Sequence, residues 1–254
     1  MNYLQIITGI FVGIASGYLG SFMVLRRMAL VGDALSHVAL PGLALALLFN
    51  INPFIGAFAA LFVGIVIVWF IENRTHLPTE SLIGLFFTFS LAVGILITPR
   101  AELLEALFGD ISKIAVMDAI LAVVLSVLIM VVMRAISKKF TLSTLSTDLA
   151  SSVGINVSRL NFIFLIMVAV IVALGIKAVG TLLTGALVII PAISARNITS
   201  SLGAYTVGSA IFGLLSLLGG IFISSYFNLA PGPIIVLTSS VIFLVSFVLS
   251  NKNS

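Results

Sequence analysis

A chain of 254 residues that is 61% hydrophobic, 8% charged and carries a formal net charge of +4 is not a soluble domain, in which about a quarter of residues are charged. Its mean hydropathy is +1.34, and its lysines and arginines sit in the gaps between apolar runs instead of clustering, which excludes a nucleic-acid-binding surface. Cysteine is absent, which excludes disulfides and thiolate metal sites. The class that remains is an all-α polytopic transmembrane bundle lying in the lipid bilayer.

A membrane span needs about 20 apolar residues. Apolar runs predict spans at 3–25, 33–49, 54–71, 81–97, 115–133, 162–176, 179–195, 203–222 and 232–250. The pair 162–176 and 179–195 also reads as one broken unit, so the count is eight or nine. No basic region precedes the first run, which is kept as a span and not a signal peptide. Within it, Gly9, Gly13 and Gly17 repeat at four-residue spacing, a pattern that lets helix backbones approach closely, within the chain or against a second copy. Pro41 and Pro191 predict kinks inside apolar runs.

With nine spans, Arg26, Arg27, Arg74, Arg134, Lys138, Lys139, Arg159, Arg196 and Lys252 fall on one side and only Arg100, Lys113 and Lys177 on the other. The basic side is cytoplasmic by the usual bias. The expectation is a multi-pass protein of the cell membrane with its C-terminus in the cytoplasm. The longest connection, about 134–161, lies on that side. In it, Ser146 or Thr147 can cap a short helix ended by Gly154.

The chemistry concentrates at Asp33 and His37. Residues four apart lie on one helix face, and a charge exposed to lipid costs at least about 2.5–3.5 kcal/mol. A polar path through the protein is therefore the default. A carboxylate oxygen and an imidazole nitrogen suit zinc, manganese or iron(II) and suit copper(I) poorly. Ser36 is placed to orient a ligand. The same residues also fit a structural role, with Asp33 capping the second span and His37 buried as a neutral side chain. Glu102, on the predicted outer side, is a candidate third ligand; Glu105 and Asp110 read as solvated loop. His76 sits in a polar turn, and Lys177 reads as snorkelling to the interface. No phosphate-binding Gly-x-x-x-x-Gly-Lys-[Ser/Thr] loop or hydrolase motif occurs, so the chain is not expected to be an enzyme.

The stretch Gly20–Gly42 (GSFMVLRRMALVGDALSHVALPG) resembles the ABC-3 family of metal permeases, the membrane subunits of zinc and manganese ABC importers. Val179–Ala192 (VGTLLTGALVIIPA) and the shorter Leu107–Asp110 (LFGD) match in the same order, and the similarity spans nearly the whole chain. The resemblance implies one permease domain over 1–254 with a type II-like importer fold. It implies a homodimer, two ATP-binding cassette subunits on the cytoplasmic side and an extracytoplasmic metal-binding protein. The divalent metal is cargo, with no cofactor permanently bound. The family's intramembrane metal site falls on Asp33 and His37, with Glu102 matching a carboxylate that is more often Asp. The short cytoplasmic helix, with Asp148, Ala150 and Gly154, resembles the family's ATPase-coupling element. The alternative is a secondary metal-ion transporter that works without an ATPase.

Overall fold

The computed structural model describes residues 3–75, 77–97, 115–181 and 183–250, and these contain eleven helices and no strand. They are α1 (Tyr3–Leu25), α2 (Val31–Val38), α3 (Leu40–Leu48), α4 (Pro53–Thr75), α5 (Thr79–Ile97), α6 (Val116–Leu145), α7 (Thr147–Ser152), α8 (Val157–Val179), α9 (Thr184–Ile198), α10 (Leu202–Phe227) and α11 (Pro231–Ser250). Taking α2 and α3 together, eight are long and apolar enough to cross a membrane, and α9 is a shorter apolar helix. The protein is a multi-pass membrane protein.

Local chemistry sets the breaks. Ser146, Asn156 and Ser201 cap α7, α8 and α10 by accepting the amides of Leu149, Arg159 and Ala204. α2 and α3 meet at Ala39, because Pro41 removes the amide that would otherwise bond the His37 carbonyl. α8 ends at Gly180, whose φ of 85° lies in the region that only glycine enters freely. The stretch from residue 162 to 195 is therefore two helices joined by a turn. The segment 134–161 is mostly helix: α6 runs on to Leu145, and α7 follows directly after Ser146.

The interior is formed by α1, α8 and the α2–α3 unit, which are far more buried than α4, α5, α6 and α11. The outer helices present Phe62, Phe70, Phe89, Val131, Phe247 and similar side chains outward, as lipid contact requires. α1 packs chiefly against α10, α6 and α9. Its crossing with α10 is backbone against backbone: a Cβ on Gly13 would stand 2.7 Å from the Gly213 carbonyl oxygen, and one on Gly17 only 2.1 Å from that of Ser209. The four-residue glycine repeat thus packs within the chain, with Gly9 against Leu217 and Ile221.

One face of the bundle is tied by hydrogen bonds. Arg26, just past the end of α1, donates to Ser143 and Thr144 at the end of α6 and to Asn161 near the start of α8. Asn161 in turn donates to Glu72 near the end of α4. On the opposite face Lys177, near the end of α8, pairs with Asp118 at the start of α6. Lys177 thus has a carboxylate partner and stays partly exposed.

Candidate metal centre

α2 is an eight-residue helix with a dense environment. Its N-cap is Leu30, which makes no side-chain cap bond, and Asp33 lies inside the first turn. The capping role open to Asp33 in the sequence is therefore not what the helix uses. Asp33 is half-buried and is pressed against the first turn of α9: an ideal Cβ on Gly185 would stand 2.7 Å from the Asp33 Cβ and 3.0 Å from its Cα and N. Only glycine at 185 allows that approach.

α1 ends at Leu25, before the arginines, and the chain turns back so that α2 starts at Val31 and brings Asp33 against Gly185 in the first turn of α9.

His37 follows Asp33 by one turn on the same face. It is 8% exposed, its ring meets Phe87 edge-on at a centroid distance of 5.3 Å, and its Nδ1 has no hydrogen-bond partner among the described residues. A buried imidazole nitrogen without a partner is costly, and neutral imidazole is a common metal ligand. Between the two, the Ser36 hydroxyl lies 2.6 Å from both the Asp33 and Thr181 carbonyl oxygens. Its single proton serves one of them at a time, and Thr181 belongs to the α8–α9 turn. Thr184 closes that turn by donating to the Gly180 carbonyl at 2.6 Å. The pair is thus held by α9 on one side and by the α8–α9 turn through Ser36.

Among the described residues no three His, Cys, Asp or Glu side chains gather into a metal cluster. Glu102, the candidate third ligand, lies outside the described residues, as do His76, Glu105 and the stretch 107–110. The short helix of the long connection is α7. Ala150 is fully buried, Asp148 is exposed in its first turn, and Gly154 ends it with φ 79°. Leu145, Leu149 and Val153 stand 80%, 55% and 62% exposed along it. The residues that sequence reasoning missed are Glu72 and Asn161. Their only signal is position, since both are polar side chains at the ends of long apolar runs.

A polytopic helical bundle with a half-buried carboxylate one turn from a buried imidazole has the form of a membrane transporter, and comparison with known proteins places it in a transporter class. The chain belongs to the ABC 3 transport family, which it matches over residues 3–250. It is 34% identical to the manganese import system permease protein ScaB of Streptococcus gordonii, over 99% of this chain and 92% of that one. It is 33% identical to the high-affinity zinc uptake system membrane protein ZnuB of Haemophilus influenzae, over 95% and 94%. Among solved structures it resembles PsaBC from Streptococcus pneumoniae in complex with Fab, with a TM-score of 0.84, 30% identity and coverage of 97% and 92%.

Proposed function

We propose that this chain is the permease subunit of an ABC importer that moves a divalent transition metal, manganese or zinc, into the cytoplasm. The observation that carries the reading is the Asp33–His37 pair, a half-buried carboxylate one turn from a buried imidazole whose Nδ1 has no hydrogen-bond partner among the described residues. A hard oxygen beside a borderline nitrogen suits both metals. Two ligands hold a cargo ion loosely enough to release it, and the sequence offers Glu102 as a candidate third. Sharing of the fold with manganese and zinc permeases supports the cargo class.

The rest of the assembly follows. Two copies of the chain form the membrane unit, an extracytoplasmic metal-binding protein delivers the ion, and ATP-binding cassette subunits dock on the Arg26 face. That face is cytoplasmic, since Arg26, Arg27, Arg74, Arg159 and Arg196 all lie toward it, and the C-terminus is on the same side. α7 is the docking element: buried Ala150 anchors it, Gly154 turns the chain away, Asp148 favours its N-terminal end, and exposed Leu149 and Val153 offer apolar contact. ATP hydrolysis belongs to the partner, and its free energy biases the permease between outward-open and inward-open forms.

The test is metal uptake in proteoliposomes holding the permease with its ATPase, supplied with the metal-loaded binding protein. Asp33→Asn and His37→Ala are expected to reduce uptake to background while the complex still assembles. Wild-type uptake in both variants refutes the site. ATP-independent uptake by the permease alone would instead favour a secondary transporter.

A further inference from the structure

The turn from Arg26 to Leu30 is where the metal-bearing helix meets the face of α7. The Arg26 guanidinium lies over the Phe140 ring at 4.2 Å from its centroid, with Phe164 at 5.9 Å. It donates to Ser143 at 3.2 Å, to Thr144 at 3.4 Å and to the side-chain oxygen of Asn161. Phe140, Ser143 and Thr144 occupy the last turns of α6, the arm that enters α7. Asn161 and Phe164 occupy the first two turns of α8, the arm that leaves it. One side chain therefore grips both arms of the α6–α7–α8 hairpin. Asn161 passes the grip on to both oxygens of Glu72 at 3.0 Å, and Glu72 also accepts from Thr79 at 2.6 Å. Burial pulls the Arg26 guanidinium below its ordinary value, and the Glu72 carboxylate opposes that pull. The planar fork of arginine holds acceptors on two helices in fixed directions, whereas lysine offers a compact charge with no set fork.

The link from Arg26 to α2 is short and stiff. Arg26 N–H donates to Phe22, Arg27 N–H to Val24, Met28 N–H to Met23 and Val31 N–H to Met28. Arg27 holds φ 62°, a left-handed conformation unusual for a side-chain-bearing residue. Asp33 follows two residues after Val31.

We propose that Arg26 is the positioning residue through which the α6–α7–α8 hairpin sets the tilt of α2, and so switches the Asp33–His37 pair between holding and releasing metal. The inference rests on the reading of α7 as the ATPase dock. When the hairpin moves with its partner, the guanidinium moves with it, and the hydrogen-bonded turn delivers that displacement to the first turn of α2.

The experiment uses the full complex of permease, ATPase and binding protein in proteoliposomes. Arg26→Met, Arg26→Lys and the double variant Ser143→Ala/Thr144→Val are compared with wild type. The double variant keeps Arg26 and the local shape while removing two of its acceptors. The readouts are metal ions imported per ATP hydrolysed and the change in Mn²⁺ affinity between nucleotide-free and ATP-bound complex. Basal ATPase is expected to stay within about two-fold of wild type. Ions per ATP are expected to fall at least ten-fold in Arg26→Met and several-fold in Arg26→Lys and the double variant, with the nucleotide-dependent affinity change lost in the same order. Should Arg26→Met fail to assemble, the double variant decides. Unchanged ions per ATP and an unchanged affinity response in the variants that assemble overturn the proposal. A wild-type complex without ATP-driven uptake overturns the transport reading itself, and with it this inference.

Discussion

Substitution of Gly185 tests whether close packing of α9 on α2 holds the metal pair in place. In Gly185→Ala the new methyl would stand 2.7 Å from the Asp33 Cβ and 3.0 Å from its Cα and N, where ordinary contact begins near 3.4 Å. The crowded atoms are backbone and Cβ, so no rotamer change relieves them. α2 must retreat by about half an ångström, at an overpacking cost of about 1–3 kcal/mol. The retreat also strains the Ser36 contact to Thr181, which is at 2.6 Å. Disturbing the support of a metal ligand weakens binding by about 10–100-fold, and that is the expected loss here. Gly32→Ala, next to Asp33, is the control, because its methyl meets the flexible end of Met23 at 3.4 Å and the Gly185 Cα at an ordinary 3.9 Å, and alanine favours the helix. Mn²⁺ binding to the purified complex, followed by electron paramagnetic resonance with thermal midpoints in parallel, separates the two effects. If Gly185→Ala binds Mn²⁺ as tightly as Gly32→Ala, packing against α9 does not set the site.

Two further outcomes follow from the packing and the caps. Gly17→Ala places a methyl 2.1 Å from the Ser209 carbonyl oxygen, whereas the same change at Gly84 meets nothing within 4 Å. The first is expected to lower the thermal midpoint by an amount equivalent to about 1–3 kcal/mol and the second to leave it level or raised; equal midpoints would contradict the crossing of α1 and α10. Ser146→Ala removes the bond to the Leu149 amide at 3.2 Å, a loss of about 1 kcal/mol, and Gly154→Ala strains a residue at φ 79° by about 1–2 kcal/mol. Both are expected to weaken pull-down of the ATPase subunit several-fold while metal binding by the permease is unchanged, and loss of metal binding instead would assign α7 a different role.

The apolar runs made most of the bundle legible. The first span, predicted at 3–25, is α1 at Tyr3–Leu25, and the predicted 81–97 lies within α5 at Thr79–Ile97. Hydropathy failed where a helix outlives its apolar stretch. α6 was expected to stop at residue 133 and runs to Leu145, because Arg134, Lys138 and Lys139 are good helix formers that the membrane edge tolerates. It did better at the next break: the gap between the predicted runs 162–176 and 179–195 is a real one, and the structure moves it only a few residues on, to Gly180, whose positive φ separates α8 from α9. The acid–imidazole pair was legible because four-residue spacing puts both on one face. Its environment was not: the partners of Arg26 lie 117 to 135 residues away, and Gly185 reaches Asp33 across the bundle.

If Asp33 and His37 are the metal ligands proposed above, the form of α2 bears on how one pair both holds and releases an ion. A helix of eight residues is too short to be stable by itself, so its direction is set by what it touches. At one end the Arg26 turn joins it to the hairpin bearing α7, and at the other Ala39, itself helical, leads on into α3 where Pro41 removes one bond of the ladder. Between them, Gly185 and the Ser36–Thr181 contact set its distance from α9 and the α8–α9 turn. A rigid 20-residue span would transmit any tilt along its whole length and disturb the lipid-facing bundle. On the proposed reading, a short helix between a stiff turn and a junction weakened by Pro41 bends there, changing the reach of Asp33 and His37 while the outer helices keep their packing.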